Sequence, residues 1–261
     1  MSNSRQHDSL ELVRSYGVTL SQTQLVPPVS ETWNVLVYAS KGIVTVRTEA
    51  GTWVVPPYRA VWLPANMKAK LDVAGQTALR MIYLRSQRRT SKRMPFDPKK
   101  CAVINVNPLL RELILRVVRI GALNANVPNH QRIARLIQDE LNTVGTVPLQ
   151  LPYPQCDQAM QFVSIIEGSF ESEIEIGPAL NSCGSSRRTM ERLFRAETGM
   201  SLGQWVRRRK LLEGLRRMSG WESATSVAFH LGYSSPSAFI AMFKRELGAA
   251  PGSYFSNRLV E

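Results

Sequence analysis

Between residues 35 and 84 short apolar runs rich in β-branched and aromatic residues are punctuated by turns, the pattern of strands. The runs fall at 35–39, 43–48, 53–55, 61–63, 71–73 and 79–84, with turns at Ala50-Gly51 and Ala74-Gly75-Gln76. Pro56-Pro57 and Pro64 supply corners, and strands so evenly spaced predict a small β-barrel or sandwich. From Arg85 to Lys100 the pattern gives way to a basic, polar stretch with prolines, which reads as a surface excursion.

Beyond it the spacing of apolar residues becomes that of a helix. Pro108 suits a first helical position, and Leu109, Leu110, Leu113, Ile114, Val117, Val118 and Ile120 make a helix apolar nearly all round, which predicts burial on several sides. Asn129 is the expected N-cap of the next helix, where Ile133, Leu136, Ile137 and Leu141 share a face. This helical pair is a candidate dimer contact, with packing against the barrel as the alternative. Pro148, Pro152 and Pro154 stand at or near alternate positions, so the stretch around them reads as an extended linker. The remainder reads as helical. The pattern therefore predicts an α+β chain with a β-barrel over 1–100, a helical pair over 101–145, a linker over 146–155 and an all-α domain over 156–261.

An internal repeat carries most of the information in the last of these. Phe194-Arg195-Ala196-Glu197-Thr198-Gly199 matches Phe243-Lys244-Arg245-Glu246-Leu247-Gly248, and the same step of 49 positions pairs Met190 with Phe239, Leu193 with Met242 and Trp205 with Tyr254. Each copy reads as helix, glycine turn, helix, which is helix-turn-helix grammar. In the second copy Ala228 permits close approach, Gly232 makes the turn, and Ser235 caps a helix that opens with Pro236; Gly184-Ser185-Ser186 takes that part in the first. With Met190, Leu193 and Phe194 turned inward, the opposite face of the first recognition helix presents Arg188, Glu191, Arg192 and Arg195. The corresponding face of the second presents Ser237, Ile240, Ala241 and Lys244.

The residue types match what base edges and phosphates require. Arg188 and Arg192 suit guanine, Glu191 accepts from cytosine, Ile240 and Ala241 suit a thymine methyl, and Ser237 shapes a second, weaker contact. Arg187, Arg195, Ser235 and Lys244 complete the expected set, with Arg195 and Lys244 assigned to phosphate. Between the copies, a helix from about residue 201 to 218 would be roughly 27 Å long, close to one duplex turn of about 34 Å. Its Arg207, Arg208, Arg209, Lys210, Arg216 and Arg217 predict a basic edge that neutralises phosphates.

Composition agrees with this. A net charge of +13 over 261 residues favours a polyanionic partner. No apolar run is long enough to span a bilayer and the first 24 residues lack the apolar block of a secretory leader, so the expected place is the cytoplasm. Cys101, Cys156 and Cys183 are far apart and form no CxxC pair, which argues against a disulfide framework or a zinc site.

The last hundred residues resemble the AraC/XylS family of transcription regulators. The resemblance rests on Gly203-Gln204-Trp205, on the run from Val227 to Phe239 that reads VAFHLGYSSPSAF, on Phe243-Lys244-Arg245-Glu246-Leu247-Gly248 and on Pro251. In the first copy Leu180 stands where the family has a small residue, which predicts a late helix start or unusual packing.

The N-terminal half is similar to the family's cupin-type sensor domain, through Tyr38-Ala39, Gly42, Trp53-Val54-Val55-Pro56-Pro57, the run from Arg59 to Ala65, and Met81-Ile82-Tyr83-Leu84. Cupin metal is held by barrel histidines, whereas His7, His130 and His230 all lie outside the expected barrel, so neither metal nor cofactor is expected. The absence of those histidines, of a phosphate loop and of a nucleophile elbow argues against a cupin enzyme. The resemblance implies a homodimeric regulator of promoter DNA, with RNA polymerase as partner and a small effector at the barrel. Trp33, Trp53, Tyr58, Trp62 and Tyr83 are the candidate effector-lining residues, or else an aromatic core. The alternative is a ligand-independent DNA binder whose barrel serves only to dimerise.

Overall fold

The computed structural model describes residues 10–86, 94–147, 149–168, 176–220 and 222–256. The chain forms two compact units, Met1–Gln150 and Leu151–Glu261.

The first unit is a sheet with helices on one face. Its strands are β1 (Glu11–Leu25), β2 (Trp33–Thr48), β3 (Gly51–Val55), β4 (Arg59–Leu63), β5 (Lys70–Arg85), β6 (Ala102–Asn105), β7 (Ala122–Asn124) and β8 (Thr146–Val147). They are hydrogen-bonded in the order β7-β1-β5-β2-β4-β6-β8, with β3 on β2. The α+β class expected from the pattern is the class observed.

Several of the short runs prove to be parts of longer strands. Runs 35–39 and 43–48 are one strand, β2, whose pairing with β5 shifts register between Ala39 and Ile43. Gly42 sits in that shift with φ +77°, and a Cβ there would lie 2.3 Å from Thr77 Oγ1. Only glycine lets the strand bend against its neighbour at that point. Likewise the turn expected at Ala74-Gly75-Gln76 is absent, because β5 runs straight through it and an irregularity opposite Ser21 and Thr23 absorbs the slack. Strand β1 has no counterpart among the sequence runs. Its partly solvated, polar-rich composition hides the alternation, and pairing with β5 along its length supplies what propensity does not.

Period-two alternation sorts the buried residues onto two faces. Leu36, Tyr38, Ala60, Trp62, Ile82 and Ile104 face helices α1 (Pro108–Ile120) and α2 (Pro128–Leu141) in one apolar cluster. Asn107 caps α1 by accepting the Leu110 N–H at 2.8 Å. The helix buries Leu110, Leu113, Ile114 and Val117 as a single stripe and leaves Leu109 exposed, so it is one-sided rather than buried all round. Helix α2 starts at Pro128, with Val127 in place of Asn129 as N-cap and no side-chain cap hydrogen bond; proline's fixed φ suits that first helical position.

Two stretches read as solvated are in fact built in. Phe96 packs edge-on against Trp62, whose Nε1–H donates to the Pro98 carbonyl at 2.9 Å, so the end of the basic excursion is pinned to the sheet. Residues 87–93 of that excursion lie outside the described residues. The expected linker contains β8 and β9 (Gln150–Pro152), with Leu149 and Leu151 both buried; alternating prolines hold the chain extended, which is also what a strand needs.

The second unit holds seven described helices: α3 (Asp157–Gly168), α4 (Ile176–Ser182), α5 (Arg187–Thr198), α6 (Leu202–Ser219), α7 (Ala224–His230), α8 (Pro236–Leu247) and α9 (Pro251–Ser256). Among the described residues no helix is long and apolar enough to cross a membrane.

Candidate nucleic-acid interface

The repeat folds as two helix-turn-helix copies, α4–α5 and α7–α8. In each, the first helix ends through a left-handed glycine, Gly184 (φ 56°) or Gly232 (φ 71°). The N–H of the residue after the glycine then closes on the helix, Ser185 on Leu180 O at 3.1 Å and Tyr233 on Ala228 O at 3.0 Å. Leu180 therefore occupies the place of Ala228, and both are buried. Helix α4 is described from Ile176; the preceding residues, 169–175, lie outside the described set. Ser186 and Ser235 cap the recognition helices, accepting the N–H of Thr189 at 3.1 Å and of Ala238 at 3.3 Å.

Equivalent aromatic pairs hold the two copies. Phe194 meets Trp205 edge-on at 5.3 Å and Phe243 meets Tyr254 edge-on at 5.5 Å, in the positions that the repeat equates. With Met190 and Phe194 buried, Arg187, Arg188, Arg192 and Arg195 stand exposed along α5; with Phe239, Met242 and Phe243 buried, Ser237, Ile240, Ala241 and Lys244 stand exposed along α8. Glu191 is half-buried, and its Oε2 accepts the Leu202 N–H at 3.0 Å, so this carboxylate is committed to the N-terminus of α6. Ser235 is the half-buried cap already described.

Helix α6 spans 18 residues, opens with a Ser201–Gln204 capping box and lies between the copies in sequence. Its basic edge is shorter than the sequence suggests. Arg207 is exposed, but Arg209 is buried, where desolvation lowers its pKa against the opposing influence of Glu213, Glu167 and Tyr153. The buried carboxylate of Glu213 takes the guanidinium of Arg216 at 2.6 Å and of Arg217 at 2.9 Å. These arginines neutralise an internal charge rather than an external one. Gly214 lets α6 approach α8, since a Cβ there would sit 3.0 Å from the Phe239 ring.

Arg245, which the sequence reading left out, and Lys210, read there as part of the basic edge, stand together with Arg187 and Arg207. All four line one cleft of about 450 Å³, with no acidic residue among the described residues of its lining. Lys210 also lies 5.1 Å above the Tyr233 ring. The signal for Arg245 was its position next to Lys244 in the second copy, but helical periodicity alone does not bring α5, α6 and α8 to a common cleft.

In the first unit the aromatic residues separate. Trp53 is a core residue, 1% exposed, with no partner for its buried Nε1 among the described residues. Trp33 lies beneath the guanidiniums of Arg14 and Arg85. Tyr58 occupies a turn at φ 63°, and Tyr83 is half-buried on β5. Of the five, Trp62 alone lines the cavity of about 550 Å³ that opens between the sheet and α2. His130 Nδ1 accepts the Asn124 N–H at 3.1 Å, and His230 Nδ1 lies 3.3 Å from the Ser226 carbonyl.

Two capped helices with outward arginines, each closed by a glycine turn on its own aromatic core, define a DNA-binding protein with tandem helix-turn-helix units. A family model described as a helix-turn-helix domain matches residues 181–257. The chain is 29% identical over 221 residues to the HTH-type transcriptional regulator NimR of Escherichia coli (strain K12), covering 85% of this chain and 79% of that one. It is 30% identical over 90 residues to the multiple antibiotic resistance protein MarA of the same organism, covering 34% of this chain and 71% of MarA. Among solved structures, the DNA-binding domain of AdpA, a global transcriptional factor in complex with a target DNA, matches with 27% identity and a TM-score of 0.37, covering 40% of this chain and 97% of that one. The AraC/XylS resemblance read from the last hundred residues falls on this matched helix-turn-helix domain, and over most of its length the chain is similar to a transcriptional regulator.

Proposed function

We propose that the protein reads a promoter site with two unequal recognition helices, α5 making the dominant base contacts through Arg188 and Arg192, and α8 a weaker one through Ser237, Ile240 and Ala241. The observation that carries this reading is the pair of equivalent caps and cores beneath faces of unlike chemistry. Arg187, Arg195, Arg207, Lys210, Lys244 and Arg245 hold phosphates and set the register; bidentate arginine contacts to guanine then discriminate. The chain works in the cytoplasm as a homodimer, a small effector in the first unit modulates its grip on DNA, and RNA polymerase is the partner at the promoter.

The test is footprinting of the full chain on its own upstream region. Parent protein protects more than one duplex turn. Arg188→Ala and Arg192→Ala each weaken specific binding by about 1–3 kcal/mol and relax base preference at one position, whereas Ala241→Glu weakens protection only at the other end of the site. Equal, weak binding to every fragment, indifferent to these changes, would overturn the reading.

A second reading, that the first unit only dimerises the chain, is favoured by Leu109 and Leu136, which stand exposed on α1 and α2. A metabolite panel separates the two: a thermal shift that accompanies a change in DNA affinity requires an effector, and dimerisation alone gives neither.

A further inference from the structure

We infer that the cavity between the sheet and α2 binds an organic monoanion with an apolar body, a carboxylate or sulfonate, and that α2 is the element which senses it. The inference deepens the effector-controlled reading above and rests on it. Helix α2 gives the cavity one complete stripe, Gln131, Ala134, Arg135 and Gln138, at helical spacings of three and four. Opposite it stand Leu12, Trp62, Leu84 and Met94. A volume of about 550 Å³ falls within the range of small-molecule sites, roughly 300–1,000 Å³.

The lining decides the ligand's charge. Two guanidiniums, Arg85 and Arg135, border the cavity together with the carboxamides of Asn34, Gln131 and Gln138, and no aspartate or glutamate is among the described residues that line it. Arg85 is held in place: its Nε donates to the Glu11 carbonyl at 2.9 Å and its guanidinium lies 5.1 Å over Trp33. Asn34 Oδ1 accepts the Ala65 N–H at 2.9 Å, which leaves its NH2 as a donor. An apolar wall bordered by cationic and amide side chains is complementary to a ligand that is greasy at one end and anionic at the other. A cation would meet two positive charges.

The site also differs from the one expected on sequence. Trp62, Val13 and Leu141 belong to the cluster packed beneath α1 and α2, so the ligand would lie on the helix-facing side of the sheet and touch α2 directly. Occupancy therefore acts on the helix whose other side exposes Leu136, the candidate dimer contact.

The experiment titrates the full-length protein with 1-anilinonaphthalene-8-sulfonate, follows its fluorescence, and competes the probe with nonanoate or with the neutral nonanamide. Nonanoate should displace the probe at least tenfold better than nonanamide. Arg135→Gln should weaken nonanoate about tenfold, in line with loss of a charge-assisted hydrogen bond, and Arg85→Gln with Arg135→Gln should erase the preference over the amide. Ala134→Trp, which fills the cavity, should abolish saturable binding. Thermal melts and affinity for nonspecific DNA establish that each variant is folded.

Equal competition by acid and amide, or arginine variants that bind as the parent does, overturns the anionic class. Saturable probe binding unchanged in Ala134→Trp overturns the site. If nonanoate binds as expected but neither it nor Ala134→Trp alters promoter footprints, the site stands and the effector-controlled reading fails.

Discussion

The two helix-turn-helix copies agree in what they bury and differ in what they show. Met190 and Phe194 repeat as Phe239 and Phe243, Trp205 repeats as Tyr254, and left-handed Gly199 and Gly248 end the two recognition helices alike. Outside, α5 carries exposed Arg187, Arg188, Arg192 and Arg195, where α8 carries exposed Ser237, Ile240 and Ala241 with Lys244 and Arg245. Selection for a packed core is the same in both copies, because the same two faces must close on each other. What the exposed faces present differs, and the comparison teaches that one scaffold here carries two surfaces of unlike chemistry.

The first copy is also tied to the segment that precedes it. Glu197, near the end of α5, accepts the N–H groups of Gln155 at 2.6 Å and Cys156 at 3.0 Å, Trp205 Nε1–H donates to the Pro152 carbonyl at 2.8 Å, and Tyr153 donates to Glu167 at 2.7 Å. The repeat equivalent of Glu197 is Glu246, which instead lies 4.0 Å from Arg208 and 3.5 Å from Arg245. Movement of the Pro152–Cys156 segment therefore reaches α5 directly.

The comparison is open to measurement. The largest effect is expected in the shared core. Phe194→Ala and Phe243→Ala should each cost about 3–5 kcal/mol, read as loss of the helical unit's urea transition, and a large inequality between them would break the equivalence of the copies. The caps should follow at about 1 kcal/mol each for Ser186→Ala and Ser235→Ala, again nearly equal by the same melts.

Electrostatics should then separate what the cores do not. Arg207→Ala should reduce the slope of log affinity against log salt by about 0.9, the value for one phosphate contact, while Arg216→Ala should leave the slope unchanged, since its guanidinium serves Glu213. A filter-binding series over salt concentration checks both.

The smallest effect concerns Glu197, whose carboxyl is held below its usual range first by the Cys156 N–H, then by that of Gln155. A depressed folded value means its contribution is present above the unfolded pKa of about 4.5 and is lost as pH falls through the folded value. Glu197→Gln should therefore lower the thermal midpoint slightly at pH 7, and the difference from the parent should vanish in acid. A difference that persisted at low pH would show that Glu197 contributes by packing alone.

Sequence by itself determined the helical repeat. Helical periodicity, serine caps, glycine turns and a constant step of 49 positions are local signals, and so the exposed set on α5 and α8, Glu191 apart, could be read directly. Local signals failed where partners are distant. The continuity of β2 and β5 depends on register shifts against neighbours that carry the slack, and β1 exists because β5 offers it a ladder. Charge was the other limit, because a run of arginines on α6 reads the same whether the guanidiniums face water or the interior; tertiary packing buried Arg209 and Glu213, so that Arg216 and Arg217 serve a buried carboxylate on their own helix, and left Arg207 outside. Only packing, too, placed Arg85 beside Arg135 in the lining of one cavity, 50 positions apart in the chain, since side chains from a strand and a helix converge by topology and not by period.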